Sequence, residues 1–156
     1  ETLGKILQEK FAVPKQESFY LCAMAEGSIG IALNYHKDGL FSRKNAIINE
    51  VFDPRIKLDD LLNVSVEREE RNDSIRETLN VLSSWFKDIL WAKAGSAQAG
   101  FINADRKADI IRLSKDFTFP EIESRVAAIA DTLYEISRNV NPRISLTKMR
   151  VELWKQ

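Results

Sequence analysis

Between Pro120 and Asn139 the apolar residues Ile122, Val126, Ile129, Leu133 and Ile136 recur in steps of 4, 3, 4 and 3. That spacing lays one stripe along a helix and suits a helix packed at a shallow angle in a bundle. A second stripe lies upstream, where Ile75, Leu79, Leu82, Phe86 and Ile89 fall at i, i+4, i+7, i+11 and i+14. Strand-like alternation is hardly sustained anywhere, and only six glycines and four prolines interrupt the helical pattern. The pattern predicts an all-α chain whose larger part is a helical bundle.

The breakers set the expected organisation. A helix over about 2–11 ends before Pro14, and a second, over about 16–25, carries Phe19, Leu21, Cys22 and Met24. Gly27 breaks it, Ser28 suits an N-cap, and a third short helix runs to about Lys37, where Gly39 supplies a stop. Ser42 is expected to cap a helix to about Val51, closed by Asp53-Pro54, with a shorter helix following from about Lys57 through Leu62. The charge run VEREERND (66–73) reads as solvated, ending one helix or opening the next, and the polar stretch KAGSAQAG (93–100) reads as a loop. Asp105 begins a helix with Ile110, Leu113 and Phe117. In the turn NVNPR (139–143), Asn141 suits N-cap and Pro142 suits N1 of a last helix striped by Leu146, Met149 and Leu153. Two pieces are expected: residues 1–40, too thin to hold a core alone, and the bundle of residues 41–156. The first should pack loosely on the second, with a mobile linker near Gly39.

Several kinds of chemistry are missing. Twenty-three basic residues balance twenty-three acidic ones, so no global field draws the chain to nucleic acid or an anionic membrane. No apolar run approaches the roughly 18 residues of a membrane-spanning helix, and the single cysteine, Cys22, cannot form an internal disulfide. The P-loop pattern is missing, and Glu26-Gly27-Ser28-Ile29-Gly30 lacks the glycine a nucleophile elbow needs two residues before the serine. Ser28 is read as a cap, His36 as an exposed polar residue beside Lys37 and Asp38, and Cys22 as an inert thiol in an apolar helix. Neither cofactor nor metal is called for. The chain starts at Glu1 without a methionine, which is read as a fragment or a processed product.

SWFKDILW (84–91) places Trp85, Phe86 and Trp91 on one helix, with Asp88 between them. Phe86 lies on the apolar stripe. Trp85 and Trp91 flank it, and either widen the core face or mark a subunit interface. Arg143, Lys148 and Arg150, with Lys107 and Arg112, keep a helical nucleic-acid-binding module as the alternative, although acids are interspersed among them.

AEGSIGIAL (25–33), WFKDIL (85–90) and NVNPRISLTKMRVELW (139–154) together resemble the C-terminal region of bacterial DNA polymerase III clamp-loader subunits, especially of the delta prime type. The likeness runs in order from about residue 17 to 154. It implies that residues 1–40 are closing helices of a truncated AAA+ lid domain, with Gly27, Ser28 and Gly30 at the lid turn, and that 41–156 form the collar. The lid of ATP-binding siblings carries a phosphate-sensing arginine at the position held here by Gly30, so the resemblance implies a region that binds no nucleotide and catalyses nothing. It further implies an ATPase domain before residue 1 and a cytoplasmic protein of DNA replication. Its partners would be gamma/tau-type and delta-type subunits in a hetero-pentamer, with the sliding clamp and primer-template DNA met only through the whole complex. On this reading the candidate interface residues are Trp85, Phe86, Asp88, Trp91, Asn139, Asn141 and Arg143.

Overall fold

The computed structural model describes residues 2–51, 68–96 and 100–153. The expected short helix from Lys57 and its Asp53-Pro54 boundary lie outside them. The described helices are α1 (Leu3–Phe11), α2 (Lys15–Met24), α3 (Ile29–Lys37), α4 (Leu40–Val51), α5 (Arg68–Lys93), α6 (Lys107–Asp116), α7 (Phe119–Ser137) and α8 (Pro142–Leu153), with one 3-10 turn at Ala104–Arg106. No strand occurs among the described residues, and the fold is an all-α bundle.

Local chemistry sets most boundaries. Gly27 takes φ 87°, a left-handed conformation open to glycine, and Ser28 then starts α3 by accepting the Ile31 N–H at 3.4 Å. Gly39, also left-handed at φ 67°, separates α3 from α4. Its carbonyl accepts from the N–H groups of Ser42 and Arg43, both at 3.1 Å, so α4 begins at Leu40 and Ser42 lies inside its first turn rather than capping it. Residues 68–73 of the charge run open α5. At α7 the Glu121 carboxylate accepts from the N–H and hydroxyl of Thr118, at 2.6 and 2.7 Å, and Pro120 sits in the first turn. Asn141 caps α8 through its Oδ1, which accepts the Arg143 N–H at 3.0 Å.

The long α5 is the axis. It packs against α4, α6 and α7, and α8 folds back along α7. Ile75, Leu79, Leu82, Phe86 and Ile89 are all buried, as are Ile122, Ile129 and Ile136 of the second stripe, while Val126 and Leu133 are half-buried against them. Burial on α5 is wider than one stripe, because Val81, Trp85 and Asp88 form a second interior row at i, i+4 and i+7.

The first three helices join this core instead of lying loosely beside it. Leu7, Val13, Tyr20, Leu21, Ala25 and Ala32 belong to the same buried cluster. Tyr20 meets the edge of Phe41 at 5.7 Å between ring centroids. Against both rings lies the ammonium of a fully buried Lys44, 5.1 Å from the Tyr20 ring centroid and 4.8 Å from that of Phe41, bonded to both Asp105 oxygens at 2.9 and 2.7 Å.

Candidate subunit interface

The candidate residues separate by depth. Trp85 is 0% exposed, and Phe86 and Asp88 are equally interior. A side chain with no accessible surface offers nothing to a neighbouring subunit, so the core-widening reading of Trp85 holds and all three leave the surface set. Arg106 lies over the Trp85 ring at 5.2 Å and donates to Asp109 at 2.7 Å and to Asn49 at 3.0 Å. Asp88 has a different task. Its two oxygens accept from the Ile102 N–H (3.0 Å), the Asn103 N–H (2.7 Å) and the Asn103 side-chain amide (2.8 Å), and that amide also donates to Ser84 at 3.3 Å. Burial pushes the Asp88 carboxyl above its ordinary value, while the Asn103 and Ile102 donors pull it back. The carboxylate therefore pins INADR (102–106) to α5, and through Asp105 to Lys44 of α4. Asp105, expected from the sequence to begin a helix, lies in the 3-10 turn Ala104–Arg106 that leads into α6 at Lys107, but the anchoring of this stretch by Asp88 is not expected from the sequence. The available signal was an acid in step with Val81 and Trp85, on a face otherwise apolar.

The remaining candidates are at the surface. Trp91 is 41% exposed on the last turn of α5. Asn139, left-handed at φ 61°, closes α7, and Asn141 and Arg143 begin α8, so these three form the corner between the last two helices. Around that corner the sequence reading missed the exposed apolar side chains Tyr134, Val140 and Ile144, with Val151 further along α8. Tyr134 sits off the stripe of α7, on a helix face it shares with Asp131, Ser137 and Arg138, which is where an outward-facing aromatic would show. Between α7 and α8 runs an open groove of about 410 Å³, lined by Ser124, Ala127, Ala128 and Asp131 of α7 and by Ser145, Lys148 and Glu152 of α8, among others. Lys148 bonds Glu135 across it at 2.9 Å, and the Ser124 hydroxyl donates to Glu152. The Ser145 hydroxyl and Lys148 together hold the Glu135 carboxyl below its ordinary value.

The lid-turn residues make no reactive cluster. Ser28 is occupied as a cap, and His36 Nδ1 meets Glu17 at 2.7 Å, tying α3 to α2. Gly30 lies in the exposed first turn of α3, where an added Cβ would meet nothing within 4 Å. Burial raises the Cys22 thiol. The cations of the alternative reading are interleaved with acids: Lys148 with Glu135, and Arg112 with Asp109 and Asp116 at 3.8 and 3.7 Å.

Residues 39–153, well over half the chain, match the family model described as DNA polymerase III, delta subunit, C terminal. No curated protein and no solved structure matches the chain. The matched span takes in the long central helix and everything packed after it, so the chain belongs to the family of C-terminal domains of DNA polymerase III delta subunits, a clamp-loader family.

Proposed function

We propose that this region is a non-catalytic scaffold, a collar that joins sibling clamp-loader subunits into the ring that supports sliding-clamp loading in the cytoplasm. The family match over residues 39–153 carries the reading. Residues 41–156 are the oligomerisation unit and 1–40 the closing helices of a lid. Trp91, Asn139, Asn141 and Arg143 stay as interface candidates because they lie at the surface. Obligate assemblies of this kind use broad interfaces with apolar anchors and polar rims, which the exposed apolar residues about the α7–α8 corner suit.

Two finer readings compete. The Gly27-Ser28 turn with Gly30 in place of the sensor arginine favours delta prime; the matched family favours delta itself. Native mass spectrometry of the chain with each sibling subunit of the same organism, singly and in combination, tests both levels. Assembly that includes the authentic delta subunit supports delta prime. Assembly with authentic delta prime, with delta excluded, supports delta. A lone 17.8 kDa species in every mixture overturns the scaffold reading.

A further inference from the structure

We propose that the groove between α7 and α8 seats an amphipathic helix of a sibling subunit, presenting small side chains to the floor and Lys or Arg to the edges. The inference rests on the scaffold reading and names the surface that reading would use. Two adjacent helices bring their surfaces to about 8–10 Å between axes, the smaller value where the side chains between them are small. Ser124, Ala127 and Ala128 on α7 and Ser145 on α8 supply such a floor, so a third helix backbone can approach closely. The lined stretch of α7, from Ser124 to Glu135, is about 16 Å long at 1.5 Å per residue, enough for about three turns of an incoming helix.

Beyond its charged edges, both helices carry exposed apolar side chains. Tyr134 stands three residues after Asp131 on α7 and is 66% exposed. Ile144 and Val151 stand four before and three after Lys148 on α8, and are 54% and 60% exposed. Residues three and four apart lie near one another on a helix surface, which puts these side chains on the exposed sides of the two helices that form the groove. An incoming helix would cover large apolar surface that otherwise faces water.

Charge selects the occupant. Asp131 and Glu135 line the groove, and Lys148, the cation among its described lining residues, is already held by Glu135. At the floor, Ser145 is 1% exposed, and its hydroxyl and the Glu135 Oε2 are buried without a hydrogen bond of proper geometry among the described residues. They lie close enough for the hydroxyl to lower the carboxyl, yet acceptor capacity is left over. A lysine or arginine from the occupant meets the exposed Asp131 at the edge and offsets the excess of carboxylates.

The test compares the full chain with Ala127→Trp, which fills the groove, and Asp131→Lys, which reverses one edge; both positions are exposed. Each protein is titrated with purified sibling subunits and followed by native mass spectrometry and calorimetry, with thermal melts as folding controls. Both variants should keep the parental melting temperature within a few degrees while binding at least about tenfold more weakly, the size expected for damage at an interface centre. The Asp131→Lys loss should be larger at low salt. Parental affinity in both variants, while Trp91→Ala binds weakly, overturns the groove and leaves the scaffold intact. Failure of the unsubstituted chain to bind any sibling overturns the scaffold and the groove together. A dimer of the chain alone that Ala127→Trp dissolves assigns the groove to a second copy and overturns the sibling occupant.

Discussion

Lys44 shows how a single residue can hold together parts distant in sequence. It lies in SRKN (42–45), a polar run that reads as helix surface, yet its ammonium is fully buried against the rings of Tyr20 and Phe41 and bonded to Asp105. Burial lowers its basicity and the Asp105 hydrogen bond restores part of it. Such a site was not legible in the sequence because, Phe41 aside, its partners lie 24 residues before and 61 after it. Asp88 was legible only as a misplaced acid for the same reason. Removing one member of a buried pair is costly while an isosteric apolar replacement often is not. Lys44→Ala should therefore destabilise the protein by about 3 kcal/mol, since it leaves a cavity beside the rings and strands Asp105. Lys44→Met, which keeps the stem beside the rings, should cost less than half of that, because Asp105 keeps 17% exposure and can take water instead. Urea midpoints with unchanged slopes would measure both, and equal losses would mean that the charge rather than the packing is what matters.

At the scale of elements, periodicity was the most readable part of the chain. The α5 and α7 stripes became core as written, and the Asn141-Pro142 start of α8 appeared where the cap chemistry put it. The start of α4 was misjudged because two signals compete there: Ser42 has the side chain of a cap, but the Gly39 carbonyl reaches the first free N–H groups earlier. For α7, the cap gives a pH signature. The Thr118 hydroxyl and N–H bonds to Glu121 hold its carboxyl below the ordinary value. A carboxyl depressed in the folded state adds stability that is complete above the unfolded value, near pH 4.3, and is lost as pH falls through the lower folded value. Glu121→Gln should thus lower the melting temperature by a few degrees at pH 7, and the gap should close as pH drops below about 4. A gap that persists at pH 3 would locate the contribution of Glu121 in packing rather than in its charge.

For the whole molecule, the question is whether residues 1–40 and 41–156 are two units. The matched family region begins at residue 39, next to the boundary read from sequence, whereas the packing crosses it: Tyr20 of α2 lies against Phe41 and Lys44 of α4, and one buried cluster spans both pieces. These observations fit together if the bundle folds independently and the first helices lean on it for the core they lack, as a small piece must. A chain starting at Gly39 should then unfold in a single cooperative transition, destabilised by about 3–5 kcal/mol for the loss of an aromatic anchor such as Tyr20. It should still enter the same sibling assembly as the full chain, because the α7–α8 face is unchanged. The reciprocal piece, residues 1–38, should show no cooperative melt. Denaturant curves followed by circular dichroism, together with native mass spectrometry of the shortened chain, read all three outcomes. A shortened chain that keeps helix but loses its cooperative transition would make Lys44 and its rings part of one indivisible core. The division at residue 40 would then mark a boundary of sequence families but not of folding.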